Sequence, residues 1–136
     1  PWGARAPDPH FDRSDKIYEF ALRKGLRSPF EAKTEIDVKA EEKKDGAVKV
    51  EIDFEGLSTR IAEVPVPAGN YSALSVAGKR LCYLASGAGE ANGPALRCLE
   101  IANKGEKPET LLEGVSAFRV SGNGKKMLVR KGNEFY

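Results

Sequence analysis

Apolar and polar residues alternate in four short runs between positions 70 and 114. Turn-forming residues separate these runs at positions 77–79, 87–94 and 104–108. Alternation with a period of two is typical of strands that bury one face, and Gly, Asn and Pro between such strands favour hairpin turns. The pattern therefore predicts an antiparallel meander of four strands over residues 70–114.

A sequence repeat supports this unit. The run YSALSVA, from Tyr71, has the same order of residue types as VSAFRVS, from Val115, at an offset of 44 residues. The turns that follow begin at Gly78 and Gly124, offset by 46 residues because of a two-residue insertion. Repeats of about 40 to 45 residues with strand and hairpin content are typical of WD40-like propeller blades. We predict an all-β chain, a partial β-propeller in which the meander is one complete four-stranded blade.

The segment 115–136 is predicted to start the following blade. Its run GNGKKMLVRKGNEFY indicates a hairpin with Met127 and Val129 on one face and Leu128 on the other. The segment ends after what its pattern indicates is the second strand of that blade.

The segment 16–69 is predicted to be most of a preceding blade. KIYEFALRKG, from Lys16, indicates a strand with a short helix as the alternative; the apolar face of the strand carries Tyr18, Phe20 and Leu22. VKVEIDFEG indicates the clearest strand of the chain, with an apolar face of Val48, Val50, Ile52 and Phe54. STRIAEVPVP indicates an edge strand, because Pro65 and Pro67 cannot donate to a ladder.

Two segments lack the period of a strand. Residues 1–15 are rich in proline and are predicted to be an N-terminal arm, anchored by Trp2 and Phe11. Residues 31–46 are highly charged and have few large apolar side chains, which predicts a solvent-exposed insertion. In the arm, Asp8, His10 and Asp12 alternate and could ligate a metal. A solvated surface histidine is the favoured interpretation, so no metal site is predicted.

Composition narrows the classes of function. Lys and Arg number 22 against 20 Asp and Glu, and the net charge of +2 gives no reason to expect a nucleic-acid partner. The sequence has no run of 18 apolar residues and no signal-peptide pattern, so no membrane partner is predicted. We expect a cytoplasmic location and no cofactor.

The two cysteines, Cys82 and Cys98, lie in the second and third predicted strands of the meander. The 15 residues between them fit no common zinc spacing, and each cysteine has apolar neighbours. Buried free thiols are therefore predicted. A disulfide between adjacent antiparallel strands is the alternative, and it would require an oxidising compartment.

Several common catalytic patterns are missing from this sequence. Ser/His/acid catalysis needs an oriented base, but the only histidine is His10 and there is no G-x-S-x-G motif. The Gly-rich run 85–94 lacks the Lys-Ser/Thr of a phosphate-binding loop and is predicted to be a hairpin loop. Asp53 and Glu55 share the polar face of a predicted strand, where nothing favours general acid chemistry. No catalytic, cofactor-binding or metal residue is predicted.

Three segments carry a resemblance to a known family: IYEFALRKGLRSPF, VEIDFEGLSTRIAEVPVPAGNYSAL and LLEGVSAFRVSGNGKKMLV. Together with the residues between them, they resemble the closing blades of the second β-propeller of tricorn protease and its bacterial homologues, over positions 16–136. The distinctive parts are the Ser-Pro-Phe run before a charged insertion, the V-x-I-D-x-x-G-L-x-x-R-I strand pair and the Pro-Val-Pro-Ala-Gly-Asn-Tyr entry to the next blade.

This resemblance implies a role in a larger protein. Tricorn-like proteins are multi-domain serine peptidases in which two propellers precede a catalytic core interrupted by a PDZ domain, and the archaeal enzyme is a hexamer. The chain would then be a non-catalytic segment that gates or channels short peptides, with the remaining blades, the PDZ domain and the core as partners. The nucleophile and its base would lie outside the chain. A stand-alone β-sandwich or barrel that binds a protein partner is the alternative function.

Overall fold

The computed structural model describes residues 15–32, 50–87, 90, 92–105 and 107–136. The predicted arm with Asp8, His10 and Asp12, and most of the charged insertion, lie outside the described residues. Within them the chain has strands and one short 3₁₀ turn, Leu57–Thr59, and no α-helix. The strands are β1 (Tyr18–Phe20), β2 (Ile61–Glu63), β3 (Asn70–Ala77), β4 (Arg80–Ser86), β5 (Ala95–Glu100), β6 (Glu109–Leu112), β7 (Ala117–Val120), β8 (Met127–Lys131) and β9 (Glu134–Phe135). The all-β prediction is confirmed.

The strands form three antiparallel sheets that follow one another along the chain. The first sheet pairs β1 with β2, the middle sheet has the order β3-β4-β5-β6, and the third sheet has the order β7-β8-β9. The middle sheet is the four-stranded meander predicted for residues 70–114, and β4 and β5 are antiparallel neighbours, as expected for strands on either side of a hairpin loop. The third sheet has one strand more than its pattern indicates, since β9 pairs with β8. Backbone hydrogen bonds between Tyr136 and Val129 extend this pairing.

The middle sheet is covered on both faces. Four consecutive residues of β4, from Cys82 to Ala85, are buried. Consecutive residues of a strand point to opposite faces, so such a run requires a cover on each side. One face packs against the third sheet, through a core of Cys82, Leu84, Leu96, Cys98, Val115, Phe118 and Val129. The other face packs against the first sheet and its flanking segments, through a core of Ile17, Val64, Val66, Tyr83, Ala85 and Leu99.

The middle and third sheets come closest at their first strands, β3 and β7. The turns that follow these two strands also touch. A Cβ atom added to Gly124 would lie 2.9 Å from the backbone nitrogen of Gly78, closer than real Cβ atoms approach. Gly124 also has a φ of 68°, a left-handed conformation that glycine adopts without steric cost. The two halves of the sequence repeat are therefore neighbours in space, and their equivalent glycines form the contact.

The strand predicted from Val48 is not present in the part of this segment that the structure describes. Residues 50–54 have no strand pairing, and Phe54 is 79% exposed. Isolated hydrogen bonds hold this segment instead. The amide of Asp53 donates to the carbonyl of Leu22. The guanidinium of Arg60 donates to the carbonyls of Asp53 and Glu55. Alternation predicts which face a strand would bury, but a strand also needs a neighbour to complete its ladder.

Two details of the predictions from this region are therefore wrong. Asp53 and Glu55 do not share the face of a strand; Asp53 accepts the amide of Lys24, and Glu55 pairs with its ammonium group. The apolar face assigned to β1 is also wrong, because Phe20 is 50% exposed, Tyr18 is similarly exposed, and Ile17 is the buried residue. The middle sheet lies on the side of Ile17, and the position of that sheet decides which side chains are covered.

The two cysteines form a disulfide, so the prediction of free thiols is wrong. Cys82 and Cys98 are directly opposed in the register of β4 and β5, with their Cα atoms 4.1 Å apart. Such close Cα spacing is typical of opposed residues that do not bond to each other through the backbone. The register decides this pairing, and a shift of one residue would have placed the two sulfur atoms on opposite faces.

Candidate functional site

An open groove of about 830 Å³ crosses the face of the middle sheet that points away from the third sheet. One wall is formed by Phe30 and by the segment between β2 and β3, and the floor is formed by side chains of β3 to β6. Rings make up much of its surface: Phe30, Pro65, Pro67, Tyr71, Tyr83 and Pro108. A surface of aromatic and proline rings with few polar groups is characteristic of sites that bind small molecules or extended peptides.

Tyr83 lies at the centre of this floor. It is 1% exposed, and its ring packs edge-to-face against Tyr71, with centroids 5.0 Å apart. The Tyr71 hydroxyl donates to the carbonyl of Pro67, which ties β3 to the wall of the groove. The Tyr83 hydroxyl makes no hydrogen bond to another described residue.

Burial raises the pKa of Tyr83 to about 12, with a further increase from Tyr71 and a smaller opposing effect from Arg97. Burial disfavours the phenolate because the ion loses its hydration. The hydroxyl therefore stays protonated at physiological pH. It can donate one hydrogen bond to an acceptor that enters the groove.

Arg97 supplies a second donor. It lies on β5, opposite Tyr83 on one side and Thr110 on the other, so the three side chains share the face that lines the groove. Its Nη2 donates to the carboxylate of Glu90, whose side chain is 11% exposed. Its Nε is shielded from solvent and has no partner among the described residues. Glu90 therefore restrains the guanidinium, while the Nε–H stays buried and unpaired among the described residues.

Hydrogen bonds between segments that are distant in sequence hold the wall of the groove. Asn103, after β5, donates to the carbonyl of Phe30 at 2.7 Å, and Phe30 also packs on the core beneath the groove. The amide of Phe30 is in turn bonded to the hydroxyl of Ser28, which stabilises the turn around Pro29. The Ser-Pro-Phe run noted in the sequence therefore presents its aromatic ring to the groove.

Sequence reasoning missed this groove. Its residues come from segments around positions 30, 66, 83, 97 and 108, which only the pairing of strands brings together. The prolines after β2 are the one local signal, and their pattern indicates an edge strand rather than a groove wall. The structure leaves the alternating acids and histidine of the arm untested, and the described residues contain no group of three or more metal-ligating side chains. No helix among these residues is long and apolar enough to cross a membrane.

The titration of Tyr83 provides a test of this burial. We expect the phenol of Tyr83 to ionise near pH 12, and this step should be absent in Tyr83→Phe. The folded state keeps the proton above pH 10 while the unfolded state releases it, so stability should fall between pH 10 and 12, by about 2 to 3 kcal/mol in total. Absorbance at the phenolate band and urea unfolding at each pH would measure both effects. A Tyr83→Phe variant with the same pH slope would contradict the assignment.

Comparison of the chain with protein-family models, with curated proteins and with solved structures found no match in any of the three.

Proposed function

We propose that this chain is a non-catalytic segment of a tricorn-like β-propeller, which gates or channels short peptides toward a serine peptidase core outside the chain. The main support is the order of the three sheets. The middle sheet lies between the sheets that precede and follow it along the chain, and it approaches the third sheet most closely at their first strands. Sheets that converge at one edge are arranged like the blades of a propeller around its axis.

Exposed apolar faces on the first and third sheets are consistent with further blades packing against them. On the first sheet, Phe20 and Ile61 are directly opposed and about half exposed. On the third sheet, Leu128 and Phe135 are exposed on the side away from the core. Exposed apolar groups in clusters mark interaction sites. We assign these faces to the remaining blades of the parent, whose PDZ domain, core and subunit contacts would complete a homo-oligomer.

The first strands are proposed to line the channel. In sheets that converge at β3 and β7, these strands lie nearest the axis. Leu74 and Val76 of β3 and Arg119 of β7 are exposed there, and β3 carries a bulge at which Ala73 has a φ of 53°. Bulges re-aim side chains at the rims of sheets. Selection would be by size, because only extended peptides fit a narrow channel between such strands.

The disulfide indicates the kind of cellular compartment in which the protein is found. From the sequence we expect a cytoplasmic protein, but disulfides persist in oxidising environments and are rare in the cytosol. Cys82 and Cys98 are both buried, so their sulfur atoms are shielded from reductants. We therefore place the protein in an oxidising compartment, and this assignment replaces the cytoplasmic location in the proposal.

The state of association of the chain tests this proposal. The apolar faces should make the chain self-associate as its concentration rises, and the double variant Phe20→Ser, Leu128→Ser should shift it toward the monomer. Light scattering during size-exclusion chromatography would measure the mass. Leu111→Ser is the matched control, since Leu111 is exposed on β6, away from both faces.

A stable monomer at all concentrations would contradict the proposal and favour a stand-alone binding module. In the parent enzyme, removal of residues 16–136 should increase cleavage of folded proteins. Unchanged cleavage of folded proteins and short peptides would count against gating. The isolated chain should show no peptidase activity, and turnover that His10→Ala abolishes would contradict the absence of catalysis.

A further inference from the structure

We propose that the third sheet covers the Cys82–Cys98 disulfide and that the two form a redox switch. A small dithiol reduces the disulfide only after the sheet has undocked from the middle sheet, and the reduced chain then favours the undocked form. This device needs only the contact between the middle and third sheets. It therefore goes beyond the proposed function and does not depend on it.

The cover is the inner face of the third sheet. Cys82 is fully buried and Cys98 is 3% exposed. Both lie in one core with Phe118 of β7 and Val129 of β8, which are also buried. A thiolate must touch a sulfur atom of a disulfide in order to reduce it, so the rate depends on access. Access from this side requires that the third sheet move away.

The third sheet is attached in a way that allows it to open as one unit. Its strands pair only with one another in the part of the chain that the structure describes. Among the described residues, one backbone hydrogen bond connects segment 115–136 to the rest, from the amide of Val115 to the carbonyl of Pro94 at 2.8 Å. Apolar packing therefore supplies most of the docking. Supersecondary units of this kind can open at a lower free energy than the whole domain.

The other neighbour of the middle sheet is tied more firmly. The backbones of Asp15 and Gly69 bond to each other in both directions, and the carboxylate of Asp15 accepts the amide of Tyr71. Asn103 also donates to the carbonyl of Phe30. We therefore expect the third sheet, and not the first, to be the part that opens.

Reduction in the open form is a pair of exchange steps. A thiolate of the dithiol attacks one sulfur atom, the S–S bond breaks, and the other cysteine leaves as a thiolate. The second thiol of the dithiol then displaces the first cysteine from the mixed disulfide. The two cysteines gain two electrons and two protons, and the dithiol is oxidised to a disulfide.

The reduced pair opposes redocking. Cys82 and Cys98 are directly opposed, with their Cα atoms 4.1 Å apart. Two unbonded thiols need more room than a disulfide, because non-bonded atoms stand farther apart than bonded ones. A close-packed core accommodates added volume poorly, and the core that would have to expand is the one shared with the third sheet. In an oxidising compartment the switch stays closed, and a dithiol opens it.

Reduction of the folded chain by dithiothreitol tests the cover. Val129→Ala should speed reduction about tenfold, because it removes two buried methyl groups from the docked form. Val64→Ala is the matched control, since Val64 is 2% exposed but belongs to the core between the first and middle sheets. It should leave the rate unchanged. Alkylation of the released thiols and mass spectrometry would measure both rates.

Amide hydrogen exchange tests the effect of reduction. The amide of Val115 loses its bond to Pro94 when the sheet undocks, whereas the amide of Val64, bonded to the carbonyl of Ile17 at 2.9 Å, reports on the other core. Loss of the cross-link lowers global stability and affects both amides alike. Crowding of the thiols acts on Val115 alone, so the ratio of its exchange rate to that of Val64 should rise about tenfold on reduction.

Two results would overturn the proposal. If Val129→Ala speeds reduction no more than Val64→Ala does, the third sheet is not the gate. If the ratio of the exchange rates is the same in the oxidised and reduced chains, reduction does not favour the undocked form. Neither result bears on self-association through Phe20 and Leu128, so the two proposals can fail separately.

Discussion

Replacement of both Cys82 and Cys98 by alanine is expected to lower the free energy of unfolding by about 3 kcal/mol. The disulfide closes a segment with a sequence separation of 16, and a loop of about this length is worth about 3 kcal/mol of unfolded-state entropy. Both residues are buried in the core between the middle and third sheets. Urea unfolding of the variant and of the oxidised chain would measure the difference.

Reduction provides the control for this result. The oxidised chain unfolded and refolded with a thiol reductant should lose the same stability, and the alanine variant should not respond to the reductant. Thiol titration of the unfolded chain before reduction should find no free thiol among the two cysteines. Two titratable thiols, with equal stability in the presence and absence of reductant, would contradict the disulfide.

Substitution of Gly124 by alanine is expected to cost about 3 kcal/mol. About 1 kcal/mol comes from the left-handed conformation, which disfavours any residue with a Cβ. The rest comes from the backbone of Gly78, which lies 2.9 Å from the position of the new Cβ and must move. The third sheet would then shift relative to the middle sheet. Thermal or urea unfolding would measure the loss.

Gly132→Ala is the matched control for the contact. Gly132 has a similar φ of 58°, but a Cβ there meets no atom within 4 Å. Its substitution should therefore cost only the conformational part, about 1 kcal/mol. Equal losses in the two variants would show that the turns of the two repeats do not restrain each other, and would remove one support for their packing as neighbouring blades.

Sheet formation in the second half of the chain could be predicted in detail. The apolar runs of 70–114 are short and are separated by turns that contain glycine, so each strand finds its partner in the next one along the chain. In the third sheet, Val129 is buried and Leu128 exposed, as their alternation indicates. Local pattern is sufficient where the neighbour in sequence is also the neighbour in the sheet.

The first half shows why pattern fails elsewhere. β1 and β2 pair across about 40 residues, and the alternating run at 50–54 remains outside the sheet although its pattern is the most regular. Both outcomes depend on which distant strand is available as a partner. The groove is a similar case, because Tyr83 and Arg97 meet Phe30 only after the first sheet has packed on the middle sheet.

The sequence by itself determined that the chain is all-β, where the meander turns, and that two stretches repeat, because these follow from residue spacing and turn chemistry within a few positions. Only the tertiary structure decided that the two cysteines are opposed, which face of β1 is buried, and which side chains line the groove with Tyr83 and Arg97. Those outcomes depend on strand register and on the stacking of sheets. Both are set by contacts between residues far apart in the chain, which a local pattern does not encode.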